Sequence, residues 1–346
     1  MRIALDAMGG DHAPKSVIRG AHLSLIHHPG IKFLIFGDKA QIEPLLKKHP
    51  QLEKISEIFH TESAVSAHEK PSVALRQGKD SSMQLAINAV KSGIADAAVS
   101  GGNTGALMAM SKLTLRTLPG IDRPAICSLF PTKKRQSVML DLGANSECGA
   151  DNLFQFAIMG EAFARAVLGT KQPTIGLLNI GSEAGKGVDS VRAASEMLSL
   201  TKLPIKYLGF VEGNDIPAGT ADVIVTDGFT GNIALKMAEG VAKLSAEYIK
   251  MGLTSSIFAK LGAVMAKPAL KSIFKKIDPR AHNGAMFLGL NGIVVKSHGS
   301  MDDVGFSHAI DVAADLIKGK INQRIVEEIR FVEQEEAQVE TTTETA

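Results

Sequence analysis

The stretch Ala97-Ala98-Val99-Ser100-Gly101-Gly102-Asn103-Thr104-Gly105-Ala106 passes from an apolar run through two glycines into a helical pattern. The apolar run is typical of a strand buried on both faces, and the helix after it is expected to begin near Thr104. Strand, glycine turn and helix form the repeating unit of an open α/β sheet. The stretch therefore predicts that the chain folds as such a sheet.

The same stretch is a candidate anion site. Glycines let backbone N–H groups approach an anion, and a helix start adds unpaired donors and a positive dipole end. We predict that Gly102, Asn103, Thr104 and Gly105 cradle a phosphate; the alternative is a tight turn followed by an ordinary helix cap. The stretch matches neither the Walker pattern G-x-x-x-x-G-K-S/T nor the dinucleotide pattern G-x-G-x-x-G.

Short apolar runs alternate with helical patterns along the rest of the chain. We predict a doubly wound, mostly parallel α/β sheet from this alternation. The predicted strands are 3–7, 33–36, 55–59, 97–100, 125–130, 138–142, 175–180, 205–211 and 223–226, and the predicted helices are 81–91, 104–117, 151–168, 189–200 and 231–250.

Five of the predicted strands end in polar loops rich in glycine. The loops are "DAMGGD" (6–11), "SGGNTG" (100–105), "DLGANSE" (141–147), "NIGSEAGKG" (179–187) and "TDGFTGN" (226–232). In an open α/β sheet, ligands collect at the carboxyl ends of the strands, so we expect these loops to share one crevice.

Two of these loops contribute candidate catalytic side chains. Lys186 lies between glycines after a buried strand, and its ammonium is able to bind phosphate or an oxyanion as a point charge. Asn232 is a candidate oxyanion donor or helix cap, and Asp227 is a candidate orienting residue and a candidate for binding substrate. The alternative for Lys186 is a surface lysine in a mobile loop.

The segment "HEKPSVALRQGKDSSM" (68–83) lacks the second histidine of the H-E-x-x-H zinc motif, so we expect no metal there. Its Arg76, Lys79 and Ser82 instead form a cationic and hydroxyl cluster near a helix start. This cluster is a candidate for holding an anionic part of a substrate.

Composition narrows the possible functions. With 346 residues, 45% hydrophobic residues and 33 glycines, the chain suits a compact α/β enzyme, and the absence of Trp argues against a nucleic-acid stacking surface. Its two cysteines, Cys127 and Cys148, are too few for a disulfide framework, which favours the cytosol. An acyl-cysteine at Cys148 is conceivable, but a small hydrophobic role is preferred. We expect neither a signal peptide nor a spanning helix.

We assign residues 1–330 to a single α/β catalytic domain with an inserted basic amphipathic region at about 248–277. That region holds six Lys and no Asp or Glu, and we predict two short helices broken at Pro268. Such a surface suits a partner subunit, an acidic protein or anionic lipid. The tail 331–346 is acidic and rich in Thr, so we predict that it is disordered.

Together these motifs resemble the bacterial phosphate acyltransferases of phospholipid synthesis, the PlsX family. The resemblance covers most of residues 1–320 in order. It rests on "DAMGGD" (6–11), "HEKPSVALRQGKDSSM" (68–83), "SGGNTGALMA" (100–109), "LDLGAN" (140–145), "LLNIGSEAGKG" (177–187), "DVIVTDGFTGNIALKMAEG" (222–240) and "NGAMFLGLNGIVVKSHGS" (283–300).

The resemblance implies a fold like that of phosphotransacetylases and isocitrate/isopropylmalate dehydrogenases, a homodimer, and peripheral attachment to the inner face of the cell membrane. It also implies that inorganic phosphate attacks acyl–acyl carrier protein, and that the acyl phosphate passes to a membrane glycerol-3-phosphate acyltransferase. Neither a cofactor nor a metal is implied. Within that reaction Lys186, Asn232 and Asn103 are the expected catalytic residues.

Two other functions stay open at this stage. One is a phosphotransacetylase that uses coenzyme A, and the other is a non-catalytic scaffold that binds carrier protein at a membrane surface. A dehydrogenase would share the fold, but the dinucleotide signature is missing.

Overall fold

The computed structural model describes residues 1–276, 280 and 283–344. Its strands are β1 Arg2–Asp6, β2 Lys32–Gly37, β3 Ser56–His60, β4 Ala97–Ser100, β5 Ala125–Pro131, β6 Gln136–Leu140, β7 Thr174–Leu178, β8 Lys206–Val211, β9 Val223–Val225, β10 Ala285–Leu288 and β11 Ile293–Lys296.

Helices pack on both faces of the sheet. They are α1 Lys15–Ser24, α2 Lys39–Leu46, α3 Pro50–Glu53, α4 Pro71–Gln77, α5 Ser82–Lys91, α6 Thr104–Leu115, α7 Ala150–Val167, α8 Asp189–Leu200, α9 Asp215–Ala218, α10 Gly228–Thr254, α11 Ile257–Lys276, α12 Asp303–Lys318 and α13 Ile321–Glu344.

Among the described residues the strands form one sheet of eleven, in the order β3-β2-β1-β4-β11-β10-β5-β6-β9-β7-β8. Seven of the ten neighbouring pairs in that sheet are parallel. The three antiparallel pairs are consecutive and join β11 to β6 through β10 and β5. The predicted mostly parallel α/β sheet is confirmed.

These antiparallel pairs divide the sheet into two parallel halves that run in opposite directions. One half contains β3, β2, β1, β4 and β11, and the other contains β6, β9, β7 and β8. Parallel strands place their carboxyl ends at one edge. The five polar loops therefore form two groups, one after β1 and β4 and one after β6, β7 and β9, rather than a single row.

The core lies between the sheet and helices that are themselves largely buried. Helix α7 is buried over most of its length, and its Phe156 and Phe163 are fully covered. Strand side chains such as Ile3, Leu5 and Val99 belong to the same cluster. Strands buried on both faces read as continuous apolar runs, which is why β1 and β4 were predictable.

The predicted break at Pro268 is wrong. Helix α11 continues through Pro268, and the chain instead bends by 117° between α10 and α11. Ser256 caps the second helix, because its Oγ accepts the backbone N–H of Ala259 at 3.0 Å. A serine cap supplies a lost helix partner, which favours a boundary at this point. Residue 277, where the predicted region ends, lies outside the described residues.

The structure also differs from the predicted disorder of 331–346, because α13 extends to Glu344. The first part of α13 buries Ile321, Ile325 and Ile329. That buried face anchors the helix, and the Glu, Gln and Ala residues that follow favour its continuation. Residues 345 and 346 lie outside the described residues.

Helices α10 and α11 expose many large apolar side chains. On α10 they are Phe229, Ile233, Met237, Val241, Leu244, Tyr248, Ile249 and Met251, and on α11 they are Ile257, Phe258, Leu261, Val264 and Met265. In the part of the chain that the structure describes, no single helix has the length and apolarity of a membrane span. The bent pair Gly228–Thr254 and Ile257–Pro268 meets that criterion only together.

Candidate active site

The predicted anion cradle lies where β4 leads into α6. Asn103 caps this helix, because its Oδ1 accepts the N–H of Ala106 at 3.0 Å. Both hydrogens of its amide are used as well, since Nδ2 donates to the carbonyls of Ala67 at 2.8 Å and Glu69 at 2.9 Å. Asn103 therefore shapes the cradle and holds the loop before α4, rather than offering its amide to a ligand.

Unlike Asn103, the next two residues of the cradle face solvent at the start of α6. Thr104 and Gly105 are exposed in the first turn of α6, where helical N–H groups lack intrahelical partners. A Cβ on Gly105 would lie 2.9 Å from the Pro71 ring, so only glycine fits beside the start of α4. Within the described part of the chain no hydrogen bond uses the N–H groups of Thr104 and Gly105, so both are available to an anion.

A buried hydroxyl–carboxylate network supports the cradle from behind. Asp6 accepts hydrogen bonds from the hydroxyls of Ser82 and Ser100, both at 2.6 Å. Ser100 Oγ in turn accepts the N–H of Gly102 at 3.0 Å. Burial raises the pKa of Asp6, and the two serine hydrogen bonds oppose that rise. Ser82 was a predicted substrate ligand, but its hydroxyl proton points inward to Asp6.

The loop after β1 packs directly against the cradle. A Cβ on Gly9 would lie 2.4 Å from the Asp6 carboxylate and 2.7 Å from the nitrogen of Gly102. The N–H of Asp11 donates to the carbonyl of Gly299 at 2.8 Å, which brings in the loop after β11. Three loops thus meet at the carboxyl ends of β1, β4 and β11.

Our sequence reasoning missed two residues of this group, Lys296 and His298. Strand register aligns Asp6, Ser100 and Lys296 across β1, β4 and β11. Lys296 is only 7% exposed, and burial lowers its pKa to about 8. Its Nζ donates to the carbonyl of Gly101 at 3.3 Å and to that of Ser297. The sequence signal that could have identified Lys296 is its position at the end of the apolar run "IVVK" (293–296).

The second group of loops is built around Asp141 at the end of β6. This buried carboxylate accepts the N–H groups of Ile126, Gly143, Ala144 and Asn145, together with the Asn145 side-chain amide. So many donors hold the loop after β6 in one conformation.

The start of α10 fits against that loop. A Cβ on Gly231 would lie 1.9 Å from the Asp141 carbonyl oxygen. Asn232 lies beside Gly143, since a Cβ at Gly143 would be 3.6 Å from the Asn232 side chain. Asp227 accepts the N–H and hydroxyl of Thr230 at 2.8 and 2.7 Å, so it caps the helix rather than orienting Asn232.

Helix α10 connects the two groups of loops. Burial and the charge of Lys296 lower the pKa of His298, whereas Glu239 raises it and Lys236 lowers it. Lys236 and Glu239 lie on α10 and form an ion pair of 2.9 Å. Helix α10, whose start lies beside Gly143 in the second group, therefore carries charges that act on His298 in the first group.

Lys186, Arg76 and Lys79 are all exposed. In the loop after β7, the Lys186 carbonyl accepts from Asn179 Nδ2 at 3.1 Å. Among the described residues, no hydrogen bond or ion pair joins its ammonium to the cradle. Arg76 Nε donates to the Ser72 carbonyl at 3.1 Å within α4. The single chain thus leaves all three cations facing solvent.

Cys148 is unsuited to covalent catalysis. Burial raises its pKa to about 11, and the charge of Asp141 contributes to the rise. Because the thiolate is the nucleophile, a thiol with this pKa is unreactive near neutral pH.

The amino-acid sequence was compared with protein-family models and with curated proteins, and the two comparisons agree. Residues 1–324 match the family model described as "Fatty acid synthesis protein". A phosphate acyltransferase from Rhodospirillum centenum is 58% identical over 94% of this chain and 92% of its own length. One from Rhodospirillum rubrum is 55% identical over 96% of this chain and 95% of its own length.

Solved structures agree on the fold. A phosphotransacetylase from Streptococcus pyogenes superposes with a TM-score of 0.63 at 19% identity, covering 92% of this chain and 94% of that one. The EutD phosphotransacetylase from Staphylococcus aureus gives a TM-score of 0.59 at 16% identity over the same shares.

Proposed function

The chain belongs to the phosphate acyltransferase (PlsX) family, and we propose that it transfers a fatty acyl group from acyl carrier protein to inorganic phosphate. The products are acyl phosphate and free carrier protein. The observation that carries this proposal is the cradle at the start of α6, where Thr104 and Gly105 lie in the first helical turn and the buried Lys296 contacts the carbonyl of Gly101. Such a site suits a small dianion.

The reaction requires little from the protein beyond the correct placement of phosphate and thioester. A phosphate oxygen attacks the thioester carbonyl carbon, the tetrahedral oxyanion collapses, and the C–S bond breaks to release thiolate. A phosphoryl group with a second pKa near 6 is largely dianionic at neutral pH, and a simple thiol has a pKa of about 8.5. The remaining tasks are to align the reactants and to stabilise the oxyanion.

We assign oxyanion stabilisation to Asn232 and Lys186. Asn232 is exposed beside Gly143, which belongs to the loop that Asp141 holds in place. Lys186 lies in the loop after β7. Strand β7 pairs with β9, and β9 leads directly into α10, the helix that carries Asn232. Arg76 and Lys79 are assigned to the phosphopantetheine end of the carrier protein.

The exposed apolar faces support two further parts of the proposal. Side chains spaced by about four residues along α10, from Phe229 to Met251, form one face suited to a second copy of the chain. On α11, apolar side chains accompany lysines without acidic residues, a pattern that suits an anionic membrane surface. The protein is then a homodimer at the cytoplasmic face of the cell membrane, where a membrane glycerol-3-phosphate acyltransferase takes the acyl phosphate.

Trapping the product with hydroxylamine tests the reaction. Purified protein is given inorganic phosphate and either palmitoyl–acyl carrier protein or palmitoyl-CoA, and acyl hydroxamate is measured. Phosphate-dependent hydroxamate from the carrier-protein donor, in clear excess over the CoA donor, is expected. Preference for the CoA donor would identify a CoA-dependent phosphotransacetylase. No product from either donor would leave a non-catalytic scaffold as the better account.

A further inference from the structure

Lys296 carries a positive charge into the interior without a carboxylate partner. It is 7% exposed, and in the part of the chain that the structure describes no acidic oxygen lies within ion-pair distance of its ammonium. Burying an ion costs several kcal/mol unless an opposite charge compensates it. The carbonyls of Gly101 and Ser297 satisfy two of its three N–H donors but supply no charge.

Two carboxylates, Asp6 and Asp11, act on Lys296 from beyond ion-pair distance, and both raise its pKa. Asp6 lies on the same level of the sheet, but its two oxygens accept the hydroxyls of Ser82 and Ser100. Asp11 influences the pKa of Lys296 from the loop after β1, yet it is exposed. Among the described residues neither carboxylate forms an ion pair with the Lys296 ammonium, and one of its three N–H donors has no partner.

That charge lies directly under the phosphate cradle. Lys296 Nζ contacts the carbonyl of Gly101, the residue immediately before Gly102. Above it, the glycine-rich loops after β1, β4 and β11 meet with backbone in contact with backbone. A Cβ on Gly101 would lie 2.8 Å from the Gly9 carbonyl oxygen, so the absence of side chains lets these loops pack this closely.

We propose that Lys296 is a phosphate-binding residue, which supplies the positive charge of the subsite formed by Gly102 to Gly105. The inference rests on the proposed function and extends it to a residue outside the assigned catalytic set. The bound dianion becomes the direct ion-pair partner that the buried lysine lacks among the described residues. Lys186, which is exposed on the other group of loops, is left to act on the thioester oxyanion.

Kinetics of two variants separate charge from shape. Lys296→Met keeps the length of the side chain and removes the charge, whereas Lys296→Arg keeps the charge. We expect Lys296→Met to raise the KM for phosphate at least about tenfold and the KM for acyl–acyl carrier protein by less than about twofold. Lys296→Arg should stay within about threefold of wild type for phosphate. Lys91→Met, at an exposed lysine that ends α5, is the matched control and should leave both constants unchanged.

Anion binding without turnover gives a second readout. Sulfate stays a dianion between pH 7 and 9.5, so any change in its affinity for the full-length protein reports on the protein. The titratable groups that interact with Lys296 are Asp6, Asp11 and His298, and the Lys236–Glu239 pair in turn acts on His298. Because the pKa of Lys296 is about 8, calorimetry should show the wild-type sulfate Kd rising at least about fivefold from pH 7.5 to 9.5. Lys296→Arg should show no such rise.

This comparison also excludes a purely structural tether. A neutral amine still donates hydrogen bonds to the Gly101 and Ser297 carbonyls, so the tether survives deprotonation while the charge does not. The inference is overturned if wild type and Lys296→Arg share one pH profile, or if folded Lys296→Met binds sulfate as wild type does. If circular dichroism shows that Lys296→Met does not fold, the pH comparison decides alone. A wild-type protein that binds sulfate in this way but makes no acyl phosphate would overturn the proposed reaction and leave the anion site standing.

Discussion

At the residue scale, Gly231 determines how closely α10 approaches the loop after β6. Because a Cβ there would lie 1.9 Å from the Asp141 carbonyl oxygen, Gly231→Ala must push the helix away. We expect a loss of about 1–3 kcal/mol in unfolding free energy, together with lower activity as Asn232 moves from Gly143. Gly262→Ala on α11 is the control, since that helical glycine has open space around it and should gain about 0.5–1 kcal/mol. Urea unfolding of both variants checks this, and equal stabilities would contradict the packing argument.

Lys186 gives a second prediction at this scale. Lys186→Ala should lower kcat at least about tenfold, which corresponds to about 1.4 kcal/mol of transition-state stabilisation. Its phosphate KM should change less than that of Lys296→Met, because the two lysines are assigned to different oxygens. Lys171→Ala, at an exposed lysine before β7, is the control. Turnover close to wild type in Lys186→Ala would remove the lysine from the mechanism.

The sequence pattern predicted the positions of some site residues but not their hydrogen-bond partners. Asn103, Thr104 and Asn232 follow glycines at the ends of predicted strands, so their places were predictable. Their hydrogen bonds were not, because the Asn103 amide meets the carbonyls of Ala67 and Glu69 only after the chain folds. Lys296 was missed because a lysine after an apolar run usually marks the point where a strand reaches solvent.

At the element scale, the contact between α7 and α13 contains a carboxylate pair. Glu161 and Glu328 flank Arg165, at 3.5 and 3.6 Å, and each has a buried Oε2 without a hydrogen-bond partner among the described residues. Burial raises the pKa of Glu328 to about 7, and the charge of Glu161 adds to the rise. The folded form therefore holds a proton that the unfolded chain releases near its ordinary pKa of 4.5.

The sign of the pH dependence follows from this raised pKa. The stabilising contribution is fully present below pH 4.5 and is lost as the pH rises through about 7, with a limit of about 3 kcal/mol. Glu328→Gln should therefore be more stable than wild type at pH 8 and close to it at pH 5. Urea unfolding at both values measures the difference, with the exposed neighbour Glu327→Gln as control. A variant that is destabilised equally at both values would contradict the carboxylate-pair account.

Some strands were predicted from the sequence and others were missed, and the difference has a physical reason. Strands β1 and β4 lie inside the sheet and show as apolar runs, whereas β10 and β11 are four-residue strands of one antiparallel pair and were not predicted. Missing them hid the reversal of direction at the middle of the sheet. The division of the five loops into two groups was therefore invisible to a pattern that treats every strand as parallel.

At the scale of the whole molecule, α10 and α11 expose apolar side chains along most of their length. Phe258 and Met265 on α11 are 85% and 84% exposed, whereas Val241 and Leu244 lie on the face of α10 assigned to the second subunit. The bend at Thr254 to Ile257 separates the two faces. Dimerisation and membrane contact should therefore be separable by mutation.

We expect the double variant Phe258→Ser, Met265→Ser to remain a dimer in sedimentation velocity and to lose flotation with vesicles that contain phosphatidylglycerol. The pair Val241→Glu, Leu244→Glu should sediment as a monomer, because two buried charges of one sign would face each other across a symmetric interface. High salt should weaken the vesicle contact of wild type only in part, since apolar burial is not screened. If the α11 variant also became a monomer, the second copy of the chain would have to cover both helices, and the membrane assignment of α11 would fail.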